Sequence, residues 1–185
     1  EETPVTWLDA GPPHELWTDG GSVRTPEVLL ANNGFLAGFG FYRKHLIPVV
    51  TWGSMTRPLT DEESASIGGH RTWGVIPAAP SGTTVRRLAD GRILVRNVYS
   101  YSRHSLAGGR RRQRAVRSHR KAFEARFPGL TDVPFEYTWG GALSMARNGE
   151  PVFGTVADGI AAAGVHNGTG LARGAICGKL IAEMM

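Results

Sequence analysis

The run Gly164-Val165-His166-Asn167-Gly168-Thr169-Gly170 concentrates more chemistry than any other part of this sequence, and an apolar segment to Met185 follows it. Glycines at this density let a backbone approach another molecule closely. A helix beginning there aims unpaired N–H groups and its positive end at that molecule. Asn167 or Thr169 can cap such a helix. His166 reads either as a ligand contact or as the end of a strand. A second group comprises Arg86 and Arg96, with Tyr99 and Tyr101 beyond them. The planar fork of arginine matches a carboxylate. Period-two spacing places Tyr99 and Tyr101 on one side of a strand, and Arg86 and Arg96 on paired strands that can share a face. Each of these four is also compatible with a solvated sheet residue.

These groups need strands and a helix to hold them. Residues 15–18 and 22–25 flank Asp19-Gly20-Gly21, a hairpin pattern. Glu27-Val28-Leu29-Leu30-Ala31 is a short apolar run of the buried-strand kind, ended by Asn32-Asn33-Gly34. Residues 46–55 form another strand, with Pro48 near its start, and Asp61–Ser66 a helical turn capped by Thr60. The stretch 72–101 is again β in pattern; within it, residues 83–87 and 92–98 flank Ala89-Asp90-Gly91, a second hairpin. Strict alternation sets Ile93, Val95 and Asn97 on one face and Leu94, Arg96 and Val98 on the other. Residues 109–127 form a basic helix stopped by Pro128-Gly129, with Val116, Phe123 and Phe127 as its buried side. Residues 135–144 read as a strand containing a glycine pair, and 151–154 and 160–163 as short strands about Asp158-Gly159. In the terminal helix Gly170, Gly174 and Gly178 line one side, each costing about 1 kcal/mol relative to alanine. Such a bare ridge predicts close packing by another backbone.

A chain of 185 residues, 41% hydrophobic and 20% charged, is globular in composition and long enough for one sizeable core. No apolar run reaches the roughly 20 residues that span a bilayer, so no membrane partner is expected. The acidic Glu1-Glu2 start is not that of a secretory signal, and the single cysteine, Cys177, rules out an internal disulfide framework. Both point to the cytoplasm. Cys177 is expected to be a small buried hydrophobe. Much of the net charge of +5 lies in Arg110-Arg111-Arg112-Gln113-Arg114-Ala115-Val116-Arg117-Ser118-His119-Arg120-Lys121. This run is better read as a solvated helix face than as a nucleic-acid interface, since neither a stacking platform nor a zinc pattern accompanies it.

Four stretches in order resemble the C-terminal part of the FAD-dependent D-amino-acid and amine oxidoreductases. They are Val28-Leu29-Leu30-Ala31-Asn32-Asn33; residues 47–58 ending Met55-Thr56-Arg57-Pro58; the succession Phe127-Pro128-Gly129-Leu130, Tyr137-Thr138-Trp139-Gly140-Gly141 and Gly149-Glu150-Pro151-Val152-Phe153-Gly154; and Gly164–Leu171, numbered 164–171. Each alone is weak; in order they cover nearly the whole chain. The branch they resemble most holds the glycine, sarcosine and γ-glutamylputrescine oxidases.

The resemblance implies an α+β chain: a large antiparallel substrate-domain sheet with flanking helices, plus the last strands and C-terminal helix of an incomplete FAD-binding α/β domain. It implies residues 1–45 as a residual part of the FAD-binding domain, 46–137 as the substrate domain with the basic helix 109–127, and 138–185 as the return to the FAD-binding domain. The phosphate-binding Gly-x-Gly-x-x-Gly is missing, since Gly38-Phe39-Gly40 lacks its third glycine. An N-terminal FAD-binding half is therefore implied as partner, and the chain alone is expected to be inactive. The cofactor site implied comprises Ala31, Asn32, Trp139, Gly140, Gly164, Asn167, Gly168, Thr169 and Gly170, and Arg86, Arg96, Tyr99, Tyr101 and His166 are the candidates for a small amino-acid or amine substrate. Sarcosine-type oxidases carry a lysine where this chain has Ala172, and their flavin-linking cysteine has no counterpart near Thr138. Noncovalent FAD is thus implied, and a dehydrogenase stays open beside an oxidase, as does a homo-oligomer. The alternative function is a noncatalytic β-rich module binding a small anion or a protein.

Overall fold

The computed structural model describes residues 2–79, 82–101 and 109–184. Glu1, Met185 and Pro80-Ser81, which belong to segments read above, lie outside them. Along the chain run β1 Val5–Asp9, β2 His14–Thr18, β3 Gly21–Thr25, β4 Val28–Leu30, β5 Leu46–Thr56, α1 Asp61–Ser66, β6 Trp73–Val75, β7 Thr84–Arg87 and β8 Ile93–Tyr101. After these come α2 Gly109–Arg126, β9 Phe135–Ala146, β10 Val152–Ala157, β11 Ile160–Gly164 and α3 Gly170–Met184. The chain divides into two compact units, residues 1–48 with 143–185, and residues 49–142.

In the first unit β1, β2 and β3 form an antiparallel meander. Thr18 faces Gly21 in register, so Asp19-Gly20 is the two-residue turn that the hairpin pattern predicts. A second sheet runs in the order β10-β11-β4. Its β10–β11 pair is antiparallel and its β11–β4 pair parallel. A 3-10 helix, Asn33–Phe39, follows β4 where the sequence pattern shows only a strand end. It brings Leu36 into a core with Leu8, Val28, Leu30, Leu46, Val152, Ile160, Ala162 and Val165.

The second unit is a five-stranded sheet in the order β6-β7-β8-β5-β9. Helix α2 covers one side, where Val85, Ile93 and Val95 pack with Phe123, Phe127, Leu130 and Val133. The buried stripe of α2 differs from the predicted one. Ala115, His119 and Phe123 are buried and Val116 is only half-buried. Spacing of four from Phe127 back through Phe123 selects His119 and Ala115, and turns Val116 to the flank. The predicted faces of β8 also change along its length. Trp52 pairs with Val98 and Gly53 with Arg96, which leaves Asn97 as an extra residue. That bulge resets the alternation. Val98 consequently packs with Val50, Trp52 and Ala115 instead of sharing the side of Arg96. Asn97 hydrogen-bonds Ser118 of α2 and Thr83.

Thr60 caps α1 as its sequence indicates. Its hydroxyl accepts from Glu63 N, and the Glu63 carboxylate accepts from Thr60 N, a reciprocal box. Arg57 grips the same carboxylate with two bonds of 2.7 Å and holds it well below the usual carboxylate range.

Candidate active site

Parallel strands β4 and β11 run side by side, Val28 against Ile160 and Leu30 against Ala162, and leave their sheet at the same end. In α/β folds the carboxyl ends of parallel strands are where ligands are taken. Ala31 and Asn32 follow β4 there, and Gly164 closes β11. Both exits turn left-handed, with φ of 46° at Asn33, 55° at Val165, 52° at Asn167 and 84° at Gly168. Val165 is a buried β-branched residue, for which this conformation costs about 1–2 kcal/mol. The surroundings hold it there: Val165 N donates to Asn33 Oδ1 at 3.0 Å. Gly164 lets the two exits touch, since a Cβ on it would lie 3.3 Å from the Asn33 Cα.

Asn167 does not cap α3. Its Oδ1 accepts from Ala146 N at 2.7 Å and its Nδ2 donates to Gly149 O at 2.8 Å, which ties the glycine turn to the β9–β10 connection. Thr169 does not cap it either, because its hydroxyl donates to His166 O at 2.8 Å. Both side chains have stronger local partners than the helix N–H groups. Among the described residues no side chain is bonded to the first turn of α3, so its positive end stays available. The ridge expectation is corrected as well. The His166 imidazole packs on Gly170 and Gly174, its Nε2 3.5 Å from where a Gly174 Cβ would stand, and among the described residues nothing from outside the helix backbone comes within 4 Å of where a Gly178 Cβ would stand. A flat ring, and not a backbone, uses the missing side chains. Among the described residues, two buried polar atoms at this end of the sheet have no partner, Asn32 Oδ1 and His166 Nδ1. An uncapped helix start, closely approachable backbone and an unpaired amide oxygen together suit a heterocycle that carries both ring N–H and carbonyl groups, as flavin does.

The side of the second unit's sheet away from α2 is open. Arg96 stands opposite Thr84, and Arg86 opposite Leu94, on the face reverse to the buried pairs Val85–Val95 and Arg87–Ile93. Arg86 and Arg96 therefore share a face. The Arg96 guanidinium donates to Thr84 Oγ1 at 3.0 Å and to the Tyr99 hydroxyl, and lies 5.3 Å over the Tyr99 ring. The Arg86 stem crosses Gly74, and its guanidinium has no partner among the described residues. Tyr99 faces Thr51 and Tyr101 faces Val49 across β5. The Thr51 hydroxyl is buried and has no partner among the described residues. Trp139 is 44% exposed, and its ring lies over Gly53, where a Cβ would come within 3.1 Å of it. Gly140 presents its own missing Cβ to Val50 and Trp52, at 3.0 and 3.1 Å, on the covered side. So Arg86, Arg96, Tyr99, Tyr101 and Trp139 belong to the second unit, and His166 with the glycine turn to the first.

Several residues escaped the sequence patterns. Thr51 and Gly53 lie in the strand read over residues 46–55, where neither was singled out. His119, hidden in a basic run, is fully buried, and burial pushes its imidazole down to about 4. Its Nδ1 lies 2.7 Å from Ser54 Oγ, which lies 2.8 Å from Thr138 Oγ1. Its place four residues after Ala115 and four before Phe123 was the available signal. Around it Arg110, Arg111, Arg112, Arg114, Arg117 and Lys121 are exposed, as on a solvated helix face. Cys177 is half-buried rather than buried.

Comparison with known proteins fixes the class. Residues 1–184 match the family of FAD dependent oxidoreductases, and the chain belongs to that family. It is 26% identical over 175 residues to the probable oxidoreductase OrdL of Haemophilus influenzae, covering 91% of this chain and 38% of that protein. Its fold is similar to glycine oxidase from Geobacillus kaustophilus, with TM-score 0.78, 18% identity, and coverage of 99% of this chain and 48% of that one. It is likewise similar to L-proline dehydrogenase from P. horikoshii, with TM-score 0.79, 17% identity, and coverage of 100% and 49%. The chain thus spans about half the length of these structures, and less of the curated relative. Among the described residues no helix is long and apolar enough to cross a membrane.

Proposed function

We propose that the full-length protein is a cytoplasmic enzyme that oxidises the C–N bond of a small amino acid or amine with noncovalently bound FAD. The observation that carries the cofactor assignment is the paired left-handed exit at Asn33 and Val165, beside an uncapped α3 and the unpartnered Asn32 Oδ1. Bound FAD would supply a two-electron acceptor for the C–H bond next to nitrogen. In this reading Ala31, Asn32 and residues 164–170 hold the cofactor by backbone approach and by the positive start of α3. Trp139 presents a flat apolar surface on the open sheet, and Gly140 contributes by letting the strand that carries Trp139 sit close on Val50 and Trp52. Arg96, steadied by Thr84 and Tyr99, takes a substrate carboxylate. Tyr99 and Tyr101 border the same face. The relatives named as a glycine oxidase and an L-proline dehydrogenase support an amino-acid or amine substrate and leave the electron acceptor open between oxygen and another carrier.

The N-terminal FAD-binding half, we further infer, covers α3. Leu171 is 94% exposed, Ile176 60% and Met184 58%, an apolar surface without a cover. The test is to purify full-length protein, record its visible spectrum, and add amino acids and amines anaerobically. Flavin released by mild denaturation, and an oxidised band bleached by at least one substrate, are the expected results. Protein that stays colourless with added FAD would overturn the assignment and favour a noncatalytic module.

A further inference from the structure

Three polar side chains meet in the second unit, one from each of three elements, two of them buried and the third, Thr138, half-buried. His119 comes from α2, Ser54 from β5 and Thr138 from β9. His119 and Ser54 are fully buried. The imidazole is neutral above about pH 4, because burial disfavours its charged form. In the tautomer with a bare Nδ1, Ser54 donates to the ring and accepts from Thr138; in the other tautomer both bonds reverse, and either way the three groups form one directed chain. His119 Nε2 has no partner in hydrogen-bond geometry among the described residues, and the Trp52 backbone of β5 is the ring's other polar neighbour.

Apolar side chains of similar shape would fill this space at no desolvation cost. What the polar trio adds is register. Successive residues of a strand point to opposite faces, so a one-residue slip of β9 would carry Thr138 to the open face and Trp139 into the core. Ser54 and Thr138 fix the lower side of β5 and β9 one residue away from Gly53 and Trp139, which meet on the upper side. Gly140, pressed on Val50 and Trp52, completes the interlock.

We propose that the His119–Ser54–Thr138 chain is a positioning device that sets the Trp139 indole on the open sheet face, with His119 and Ser54 as positioning residues for the substrate surface. This rests on the assignment of that face to substrate given above. It acts through the strand pair and needs no contact with ligand.

The experiment is done on full-length protein and reads the near-UV circular dichroism of Trp139, isolated by subtracting the spectrum of Trp139→Phe in each background. Ser54→Ala and His119→Leu should reduce that contribution about two-fold or more, while far-UV spectra stay native. His119→Asn, which returns an acceptor close to the Nδ1 position, should restore it. An unchanged Trp139 contribution in folded Ser54→Ala and His119→Leu would overturn the proposal and leave the trio as packing alone. If those variants do not fold, Thr138→Val, which keeps the side-chain shape, is read against the same two outcomes. The signal needs no flavin. Full-length protein that binds no FAD while the Trp139 effect is intact therefore counts against the cofactor assignment only, and bound FAD without the Trp139 effect counts against the positioning chain only.

Discussion

Asn33 and Val165 meet across the sheet exit, and the bond between them joins two residues in left-handed conformations. Replacing Asn33 with alanine leaves the Val165 N–H buried without an acceptor, at a cost of about 1–3 kcal/mol. Asn33→Asp keeps the acceptor and should stay near wild type in urea unfolding. Equal losses in the two variants would show that this bond does not hold the turn. On the open face the two arginines differ in preparation. Arg96 is clamped by Thr84 and Tyr99, whereas Arg86 is loose. Arg96→Met should therefore raise KM for a carboxylate-bearing substrate about 10-fold or more, the loss of a charge-assisted bond. Arg86→Met should change it little. A larger effect at Arg86 would reverse their roles.

At the scale of elements, α2 carries a pH dependence. The His119 imidazole titrates at about 4 in the folded chain against 6.5 in the unfolded one. The unfolded state therefore binds more protons across that interval, so this contribution to stability is complete above pH 6.5 and falls as the solution is acidified toward pH 4. The urea midpoint of wild type should drop relative to that of His119→Leu within this window and run parallel to it above. Parallel curves throughout would mean that His119 is solvated. Elements whose signals are local were legible in the sequence. The Asp-Gly turns of both hairpins, the Thr60–Glu63 box of α1 and the Pro128-Gly129 stop of α2 each act over a few residues, and each element formed where its signal lay. The bulge at Asn97 was not legible, because alternation presumes a regular ladder and the extra residue is set by pairing with β5. His119 was missed because composition reads a histidine among arginines as surface, while helix phase buries it. In the turn, the glycines were evident. That Asn167 would be tied to Ala146 and Gly149 depended on a β9–β10 connection about twenty residues earlier in the chain.

For the molecule as a whole, the exposed apolar side of α3 dominates expected behaviour. Only Ile181 of this helix is buried. The 185-residue chain by itself should bind a hydrophobic dye and self-associate. Ile176→Glu with Leu180→Lys should lower both, and in full-length protein the same pair should reduce stability by placing charges under a covering half. A monodisperse chain that binds no dye would remove the case for such a cover.

The first unit also carries a chemical clock. All three Asn-Gly pairs of the sequence lie in it, at Asn33-Gly34, Asn148-Gly149 and Asn167-Gly168. In an unfolded peptide the glycine nitrogen attacks the asparagine side-chain carbonyl, ammonia leaves, and water then opens the cyclic imide to a carboxylate. Here each of the three amides is engaged: Asn33 with Val165 N, Asn148 with Glu150 N, and Asn167 with Ala146 N and Gly149 O. Folding therefore slows their ageing. Conversion at Asn167 would remove the donor to Gly149 O and set a negative charge at the turn where α3 begins. The shelf life of the protein is written into the same turn that is assigned to the cofactor.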